Sequence, residues 1–339
     1  MPGTLEPADL PPLEPRAGEL LVRVAVCGVC RTDLDVVDGR LAPASLPVVP
    51  GHQVVGRVAE LGAGVADVRL GERVGVAWIH SACGECRWCR EGRENLCPRF
   101  VSTGCSHDGG YAELITVPAA FAHSIPDVLD DLSAAPLLCA GAIGWRALRA
   151  ADIGDGEALG LTGFGASAHL VLQLARRRLP GSPIYVFARQ PDERRFALEL
   201  GATWAGASDE RAPQPCAAII DTTPAWTPVV DALAQLAPGG RLVINAIAKQ
   251  LSDQNALLRL DYTTHLWMER EIRSVANVTR ADVREMLAAA SALELRPTVE
   301  ELPLERANEA LDALRRGDRV RGARVLRVSQ VESPPSANA

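Results

Sequence analysis

The stretch Glu157-Ala-Leu-Gly-Leu-Thr-Gly-Phe-Gly-Ala-Ser-Ala168 decides the fold of the central part of this chain. An apolar strand runs into the pattern G-x-G-x-x-A, which opens a helix with apolar spacing over 166–178. Gly163 permits a tight turn, and Gly165 lets the backbone approach a pyrophosphate. Ala168 is small enough for helix and strand to pack closely, with the phosphate at the helix N-terminus. Because the motif lies between a predicted strand and a predicted helix, it predicts dinucleotide binding.

The sequence that follows this motif alternates between strands and helices. The predicted strands are Pro183–Ala188, Ala217–Ile220 and Arg241–Ala246, and the predicted helices are Asp192–Leu200 and Thr227–Leu236. Strands that alternate with helices of this length predict a parallel, doubly wound sheet. We therefore expect an α/β fold with a Rossmann domain in this part of the chain.

The two ends of the chain have a different pattern. Before residue 130, short apolar segments broken by Gly and Pro predict a mainly β region, with strands at Glu19–Cys27, Val54–Leu61, Gly71–Ala77 and Gly109–Val117. After residue 278 the sequence predicts helices at Arg280–Leu293 and Glu305–Arg316 and a last strand at Ala323–Val328. The tail 331–339 is rich in Ser and Pro, and we expect it to be flexible.

The end of the second predicted strand of the Rossmann region bears on the choice of cofactor. NAD sites hold the ribose hydroxyls with an acid about twenty residues beyond the glycine motif. This chain reads Val186-Phe-Ala-Arg189-Gln190 there, with a guanidinium and no acid. Arg189 would bind a 2′-phosphate and no carboxylate would repel it, so the sequence favours NADP(H) over NAD(H). The alternative is that Arg189 is a solvated side chain at a strand end.

Four cysteines lie within fifteen residues in the run Cys83-Gly-Glu-Cys86-Arg-Trp-Cys89-Arg-Glu-Gly-Arg-Glu-Asn-Leu-Cys97. This spacing lets one short loop surround a single tetrahedral ion, and zinc bound by four thiolates satisfies that geometry. A closed site of this kind is structural because it leaves no coordination position for substrate. The alternatives are four unrelated cysteines, or disulfides in an exported protein.

The bulk composition narrows the class of protein. A chain of 339 residues exceeds one ordinary core and predicts two domains. The net charge of −7 argues against a nucleic-acid partner, and no apolar stretch is long enough to span a bilayer. The first ten residues lack the basic and apolar regions of a secretory signal. Nine cysteines in such a chain fit a reducing compartment, so we expect a cytoplasmic protein.

Three residues that are distant in sequence are candidates for a second metal site. They are Cys30, His52 and Cys139. Two cysteines and one histidine supply three ligands and leave one position open for water or an alcohol. Taken singly, each has an ordinary explanation, because a lone cysteine is usually a small core residue and a lone histidine is usually structural.

Five motifs occur in an order that resembles the zinc-containing medium-chain alcohol dehydrogenases. They are Gly28-Val-Cys-Arg-Thr-Asp33, Pro50-Gly-His52, the four-cysteine run, Leu138-Cys-Ala-Gly141 and Gly163-Phe-Gly165. The resemblance extends from Leu20 to Val328, and it is strongest to a bacterial branch near the cinnamyl-alcohol-dehydrogenase-like enzymes. It implies a GroES-like catalytic domain over 1–135, a Rossmann domain over 136–275, and a C-terminal return to the catalytic domain over 276–330.

The resemblance also implies roles for individual residues. Cys30, His52 and Cys139 would bind a catalytic zinc, as alcohol dehydrogenases are known to do with such a ligand set. The four-cysteine run would bind a structural zinc, giving two zinc ions per chain. Asp33 would orient the zinc-bound histidine. Thr32 would hydrogen-bond the substrate hydroxyl and begin a proton relay; the alternative is a threonine that only caps a helix or turn.

Three positions depart from the family pattern. Gln53 follows the histidine ligand where many relatives have glutamate, so ligand exchange at zinc could differ. Asp35 occupies a position where relatives often have a relay histidine, and we expect either that it passes the proton on through water or that the relay opens straight to solvent. Residues Met1–Pro15 replace the usual first strand, and we expect a neighbouring strand edge to be less covered.

The predicted activity is reversible hydride transfer between a primary or aromatic alcohol and NAD(P)+, giving an aldehyde. Trp78, Ile79 and Trp145 are candidates for the pocket lining, although bulky side chains near a domain junction are as often core. The alternatives are a polyol-type dehydrogenase of the same fold and a non-catalytic, zinc-braced NADPH-binding sensor; a metal-free quinone reductase conflicts with both cysteine sets. By analogy with relatives we expect a homodimer or homotetramer.

Overall fold

The fold is described from a computed structural model, which covers residues 3–318 and 321–329. The predicted flexible tail, 331–339, lies outside these described residues. The strands are β1 Glu19–Val29, β2 Val54–Leu61, β3 Arg73–Val76, β4 Ile79–Ser81, β5 Val101–Ser102, β6 Leu114–Pro118, β7 Ala122–Ser124, β8 Leu159–Thr162, β9 Ile184–Phe187, β10 Trp204–Gly206, β11 Cys216–Asp221, β12 Leu236–Ile244, β13 Glu271–Ser274, β14 Val299–Pro303 and β15 Ala323–Arg327. The helices are α1 Arg31–Val37, α2 Arg87–Arg90, α3 Asp131–Ala134, α4 Ala140–Ala151, α5 Ala166–Arg178, α6 Pro191–Glu199, α7 Thr227–Leu233, α8 Arg280–Ala292 and α9 Ala307–Arg316.

A six-stranded parallel sheet forms the middle of the chain, in the order β10-β9-β8-β11-β12-β13. The predicted helix 166–178 is confirmed at both ends by α5. Every residue of β8 and β9 is buried, which explains why these strands are apolar runs rather than alternating patterns. The predicted α/β fold with a doubly wound parallel sheet is therefore confirmed.

A second sheet combines strands from both ends of the chain. Its order is β14-β15-β1-β2-β3-β7, and β6 also pairs with β1. Nearly all of β1 is buried, because this strand lies in the interior of the sheet. The register shifts between Leu21 and Val22 and between Val24 and Val26, so β1 is kinked against β2.

The last described strand returns to the first. β15 runs antiparallel to β1, with Leu326 opposite Cys27, and β14 runs parallel to β15. Near the N-terminus, the Leu5 amide donates to Asn308 Oδ1 at 2.9 Å, and Asn308 Nδ2 donates to the Leu5 carbonyl at 2.9 Å. The Asn308 side chain, on α9, thus pairs with the backbone of the extended N-terminal segment as a neighbouring strand would.

One predicted strand begins later than the sequence indicates. The prediction covered Gly109–Val117, but β6 starts only at Leu114. The amides of Gly109, Gly110 and Tyr111 instead donate to the carbonyls of residues 49, 51 and 50 at 2.7, 2.9 and 3.0 Å. A Cβ atom at Gly109 would lie 2.1 Å from the Gly51 oxygen, so only glycine allows this close approach.

None of the helices in the described ranges combines the length and apolarity needed to cross a bilayer.

Candidate functional site

Cys30 lies at the junction of β1 and α1. Its backbone is extended (φ −125°, ψ 156°), and it forms the N-cap of the helix. The Cys30 amide donates to Asp33 Oδ2 at 2.8 Å, so the first turn of α1 places a carboxylate beside the cysteine. Asp33 is 1% exposed. The turn therefore aims both side chains into the protein interior.

His52 lies in the loop before β2. Gly51 has φ +99°, a left-handed conformation that a side chain would strain, and this turn directs the His52 ring inward. Asp33 Oδ1 lies 2.8 Å from His52 Nδ1 and accepts from the Gly51 amide at 3.2 Å. Because the carboxylate occupies Nδ1, the ring keeps Nε2 available for another ligand.

Tyr111 is a site residue that the sequence did not reveal. Its hydroxyl donates to Asp33 Oδ2 at 3.2 Å. Burial, followed by the charge of Asp33, raises the pKa of Tyr111 well above its usual value, so the phenol remains a donor. The two residues are far apart in the chain, and no motif includes Tyr111; the adjacent glycine pair was the available signal.

Cys139 completes a cluster with Cys30 and His52. It lies between a short 3-10 turn, 135–138, and the start of α4. Its Sγ is 3.3 Å from His52 Nε2. The three potential ligand atoms all lie within 4.8 Å of one another, although the residues come from three separate parts of the sequence. The structure thus brings together the three residues predicted to share an ion.

The charges in this cluster are strongly coupled. Burial is the largest single effect on His52 and disfavours its imidazolium form, but the charges and hydrogen bonds of Asp33 and Cys30 together outweigh burial and raise the His52 pKa to about 10. Contact with Cys139 lowers the pKa of Cys30 well below its usual value, and the same contact raises that of Cys139. Protons and a metal would compete for the same three atoms, so metal binding would release protons.

The donor set suits zinc. Two sulfur atoms and one imidazole nitrogen are ligands that this ion prefers, and three protein ligands leave a fourth tetrahedral position open. The Asp33 contact to the opposite ring nitrogen is the partner that metal-bound histidines usually have. The residues present therefore fit a catalytic zinc.

The four cysteines of the second cluster also converge. The Sγ atom of Cys89 lies 3.8 Å from that of Cys83 and 3.6 Å from that of Cys86. With Cys97, all four sulfur atoms lie within 4.8 Å of one another. Backbone amides of Cys86 and Glu85 lower the pKa of Cys83 to about 6, which favours the thiolate that a metal needs. All nine cysteines are free thiols rather than disulfides.

The nucleotide motif has the predicted shape. Gly163 has φ +75°, and a Cβ there would lie 2.9 Å from Thr223 Cγ2. Gly165 precedes the first residue of α5, and Ala168 is fully buried where the helix meets the sheet. These are the turn, the open backbone and the close packing that the motif predicts.

Arg189 is the second residue after β9 and is exposed. Two acids follow in the first turn of α6: Asp192 pairs with Arg195, and Glu193 forms the capping box with Gln190, whose amide lies 3.4 Å from Glu193 Oε2. Burial raises the Glu193 pKa, and this carboxylate is thus partly withdrawn into the helix N-terminus. Ala188, at the end of the strand, offers no acid.

The other predicted relay residues differ in their surroundings. Thr32 is 9% exposed, and no hydrogen bond within the described part of the chain uses its hydroxyl. Asp35 Oδ1 instead accepts from Arg40 Nε at 2.7 Å. Gln53 is buried against Gly28, whose amide donates to the Gln53 carbonyl at 2.9 Å.

The two tryptophans proposed for the pocket have different environments. Trp78 meets the His52 ring edge-on, with ring centroids 5.0 Å apart. Trp145 instead donates from Nε1 to Glu285 Oε2 at 2.9 Å, and Arg178 lies over its ring. Trp145, on α4, thus contacts side chains of α5 and α8 rather than the His52 ring. The carboxylate on α8 supplies the hydrogen-bond acceptor that a buried indole N–H needs.

Comparison with known proteins assigns the chain to a family. Residues 16–127 match the family model described as the alcohol dehydrogenase GroES-like domain. Over 333 residues the chain is 45% identical to a probable alcohol dehydrogenase, AdhA, of Mycobacterium tuberculosis, covering 94% of each chain. The chain belongs to the zinc-containing medium-chain alcohol dehydrogenase family.

Solved structures of this family have the same architecture. A cinnamyl alcohol dehydrogenase of Sorghum bicolor is 28% identical, with a TM-score of 0.83 over 98% of this chain and 96% of that one. A cobalt- and zinc-bound thermostable alcohol dehydrogenase of Pyrobaculum aerophilum is 27% identical, with a TM-score of 0.82 over 93% of each chain. The resemblance seen in the sequence motifs is confirmed, and the protein is an alcohol dehydrogenase.

This alcohol dehydrogenase also has a buried ion pair that its sequence did not reveal. Lys249, the sole lysine of the chain, contacts Asp221 Oδ2 at the end of β11, and its Nζ donates to the Thr223 carbonyl at 2.7 Å. Thr162, at the end of β8, donates to Asp221 Oδ1 at 2.5 Å. We call Asp221 and Lys249 the clasp. The clasp lies at the edge of the parallel sheet where ligands of such folds bind.

Proposed function

We propose that this alcohol dehydrogenase is zinc-dependent and interconverts a primary or aromatic alcohol and its aldehyde, with NADP(H) preferred over NAD(H). The observation that carries the proposal is the convergence of Cys30, His52 and Cys139 within 4.8 Å, beside a buried threonine. Such a set of three ligands has no use in a purely structural zinc site, because structural sites are closed by a fourth protein ligand.

Each residue of the site has a proposed task. Cys30, His52 and Cys139 would hold zinc, and a zinc ion there would act as a Lewis acid toward the substrate oxygen. The nicotinamide held by the Rossmann domain would accept or supply the hydride. Asp33 keeps the His52 ring in one tautomer and orientation. The hydroxyl of Thr32 would hydrogen-bond the substrate hydroxyl and take its proton as the alcohol is oxidised.

A relay role for Asp35 stays a prediction. Its carboxylate is held by the Arg40 guanidinium, with Asp35 Oδ1 2.7 Å from Nε. A proton leaving Thr32 would have to reach this ion pair or the solvent through water. A relay through Asp35 would therefore pass beside the Arg40 cation, whose Nη2 lies 2.7 Å from Asp35 Oδ1.

We propose a second, structural zinc bound by Cys83, Cys86, Cys89 and Cys97. The four sulfur atoms supply a complete tetrahedral set, which leaves no position for substrate. The lobe that carries them, 83–97, is joined to the first residue of α8 by an ion pair between Glu94 and Arg280, with N–O 3.1 Å. Zinc in the lobe would therefore brace a contact between distant parts of the chain.

The preference for NADP(H) rests on charge at the end of β9. Arg189 is exposed, no ion pair within the described ranges uses it, and Ala188 replaces the acid that would bind ribose hydroxyls. A guanidinium can bind a phosphate through two hydrogen bonds. Two acids in the first turn of α6 could compete for Arg189, but Asp192 pairs with Arg195, and the capping contact of Glu193 with Gln190 holds that carboxylate at the helix backbone.

Domain limits and assembly are further parts of the proposal. We place the domains at 1–135, 136–275 and 276–330, and the membership of strands in the two sheets supports these limits.

The free edge of the parallel sheet bears on assembly. All four residues of β13, the last strand of that sheet, are exposed, and Trp267 is 53% exposed nearby. A free strand edge with apolar neighbours favours pairing with a second copy, giving a homodimer or, with a second interface, a homotetramer. A sedimentation experiment showing only monomer would contradict this part.

We also propose that the enzyme is cytoplasmic, because nine unpaired cysteines suit a reducing compartment.

The central experiment combines metal analysis with initial rates. Purified enzyme is expected to contain about two zinc ions per chain and to reduce cinnamaldehyde, benzaldehyde or short aliphatic aldehydes faster with NADPH than with NADH. Arg189→Ala should reduce kcat/KM for NADPH about 10-fold or more and change NADH rates little. Arg195→Ala is the matched control, because Arg195 is already paired with Asp192. Cofactor binding without turnover on any alcohol, aldehyde or ketone would refute the proposed activity.

A further inference from the structure

We propose that Asn277 is a positioning residue that fixes the Trp78 ring against His52 and thereby helps to determine which substrates the site accepts. This inference rests on the proposed function, because it takes the space beside His52 to be the substrate site.

The Trp78 indole borders the proposed reaction centre. It lies between β3 and β4, is 7% exposed, and meets the His52 ring at 77° with centroids 5.0 Å apart. His52 contacts the Cys139 sulfur through Nε2 at 3.3 Å. The indole thus contacts a member of the cluster that would bind the metal, and a large apolar ring there would form a wall of the pocket.

The indole is held by a hydrogen bond from another part of the chain. Trp78 Nε1 donates to Asn277 Oδ1 at 2.8 Å. A buried indole has only this one polar group, and its single partner therefore fixes the rotation of the ring. Substituting the partner would leave the N–H without an acceptor or free the ring to turn.

Asn277 is itself held on its other side. Its Nδ2 donates to the Asn95 carbonyl at 3.2 Å, and Asn95 Nδ2 donates back to the Ala276 carbonyl at 2.8 Å. The amide side chain provides the acceptor for Trp78 and the donor for Asn95 on two separate atoms. The backbone at Asn277 has φ +52°, a left-handed conformation that asparagine tolerates better than most residues. The local conformation and the side-chain chemistry both favour asparagine here.

This arrangement joins three parts of the molecule at one side chain. Asn277 lies in the segment between β13, which belongs to the parallel sheet, and α8, which packs on α4 and on the turn 135–138 before Cys139. Asn95 belongs to the cysteine lobe, 83–97. Trp78 follows β3, which belongs to the sheet built from both ends of the chain. The orientation of the pocket wall therefore depends on how the lobe and the linking segment sit against the catalytic domain.

The kinetic test uses variants that separate the amide from the backbone. Asn277→Gly removes the side chain but accepts the left-handed φ, whereas alanine would add strain. Glu294→Gly is the matched control, because Glu294 has φ +48° in the turn after α8 and faces no part of the site. Trp78→Phe keeps one aromatic ring. It removes the indole N–H and the apolar surface of the second ring.

We expect the ratio of kcat/KM for cinnamaldehyde to that for propanal to change about 3- to 10-fold in Asn277→Gly, the range for losing one hydrogen bond. The control should keep the ratio of the native enzyme. If Asn277 acts through Trp78, then Asn277→Gly should have little further effect in the Trp78→Phe background. An unchanged ratio, or full additivity of the two substitutions, would overturn the inference.

A second readout does not depend on activity. In enzyme labelled with 5-fluorotryptophan, the Trp78 resonance is identified by its loss in Trp78→Phe, and we expect Asn277→Gly but not Glu294→Gly to shift or broaden it. A resonance unchanged by Asn277→Gly would overturn the positioning role. Absence of turnover in the native enzyme would refute the proposed function, and the resonance alone would then decide whether Asn277 holds the ring.

Discussion

Asp33 connects more of the candidate site than any motif suggests. Its carboxylate accepts from the amides of Cys30 and Gly51, contacts His52 Nδ1 at 2.8 Å, and accepts from the Tyr111 hydroxyl at 3.2 Å. This one buried carboxylate thus positions two of the three candidate zinc ligands, Cys30 and His52. Burial of such a charge is tolerable because these donors replace its hydration.

The first prediction concerns this carboxylate. Asp33→Asn removes the charge that orients His52, and we expect kcat/KM and zinc affinity to fall about 10- to 100-fold, as for other partners of metal-bound histidines. Initial rates and zinc retention during dialysis against a chelator measure both effects. Tyr111→Phe is the matched control, since it removes one neutral donor and should reduce kcat/KM less than tenfold. Equal effects of the two substitutions would contradict this account.

The second prediction concerns the relay. If Asp35 draws the proton from Thr32, then Asp35→Asn should lower kcat about tenfold and alter its pH dependence. Asp38→Asn is the control, because Asp38 binds the same guanidinium, with Arg40 Nη1 at 2.7 Å, one turn further from the site. A pH–rate profile that is the same for Asp35→Asn and the native enzyme would exclude the relay role.

At the residue scale, sequence reasoning located the residues that belong to motifs and missed their partners. Cys30, His52 and Cys139 lie together in space as predicted, although no pairwise signal links them in sequence. Tyr111 and Asn277 were missed because a hydrogen bond between residues far apart in the chain leaves no periodic trace. Such contacts depend on the folded register rather than on local pattern.

At the scale of elements, buried strands were predicted and exposed ones were not. β8 and β9 are buried throughout, mostly apolar and bounded by turns, which is a strong signal. β13 reads Glu-Ile-Arg-Ser with all residues exposed, so it has no apolar face to detect. Its strand character comes from pairing with β12, a tertiary effect.

The third prediction concerns the clasp, which ties the loop after β12 to the end of β11. Lys249→Met would leave the Asp221 carboxylate buried without its cation, and we expect the free energy of unfolding to fall by about 3 to 5 kcal/mol. Urea denaturation measures the change. Adding Asp221→Asn should recover part of the loss, because the amide carries no charge to bury. Equal stability of Lys249→Met and the native enzyme would contradict the prediction.

For the whole molecule, three buried histidines are expected to make the stability depend on pH below neutrality. Burial lowers the pKa of His123 to about 3 and those of His80 and His169 to about 4, with the cations Arg284 and Arg280 adding to the effect at His123. A folded pKa below the unfolded value means that the unfolded chain binds more protons. The part of the stability that depends on these three neutral histidines is therefore fully present above about pH 6.5 and is lost as the pH falls toward 4.

The fourth prediction follows from these values. Each of the three histidines should contribute up to about 1.4 kcal/mol of lost stability per pH unit below 6.5. His123 has no hydrogen-bond partner for either ring nitrogen within the described residues, so His123→Leu should make the pH dependence shallower by about that amount. Unfolding midpoints between pH 7 and 5 measure the slope. A slope unchanged by His123→Leu would contradict the expectation.

The overall architecture was predictable because each half of the chain has its own pattern. The alternation of strands and helices predicts the parallel sheet, and the glycine- and proline-broken segments predict the other sheet. The return of the C-terminal segment, whose strand β15 pairs with β1, was expected only from the family resemblance. Sequence patterns alone do not show which distant strands pair.

The clasp has a practical consequence for anyone who handles this enzyme. Lys249 is the sole lysine in the sequence, and its side chain is only 9% exposed. Reagents that acylate or glycate side-chain amines, and resins that immobilise proteins through them, would find a single target that is shielded by its own neutralising carboxylate. Attachment chemistry for this enzyme would therefore do better to address carboxylates or guanidinium groups on its surface.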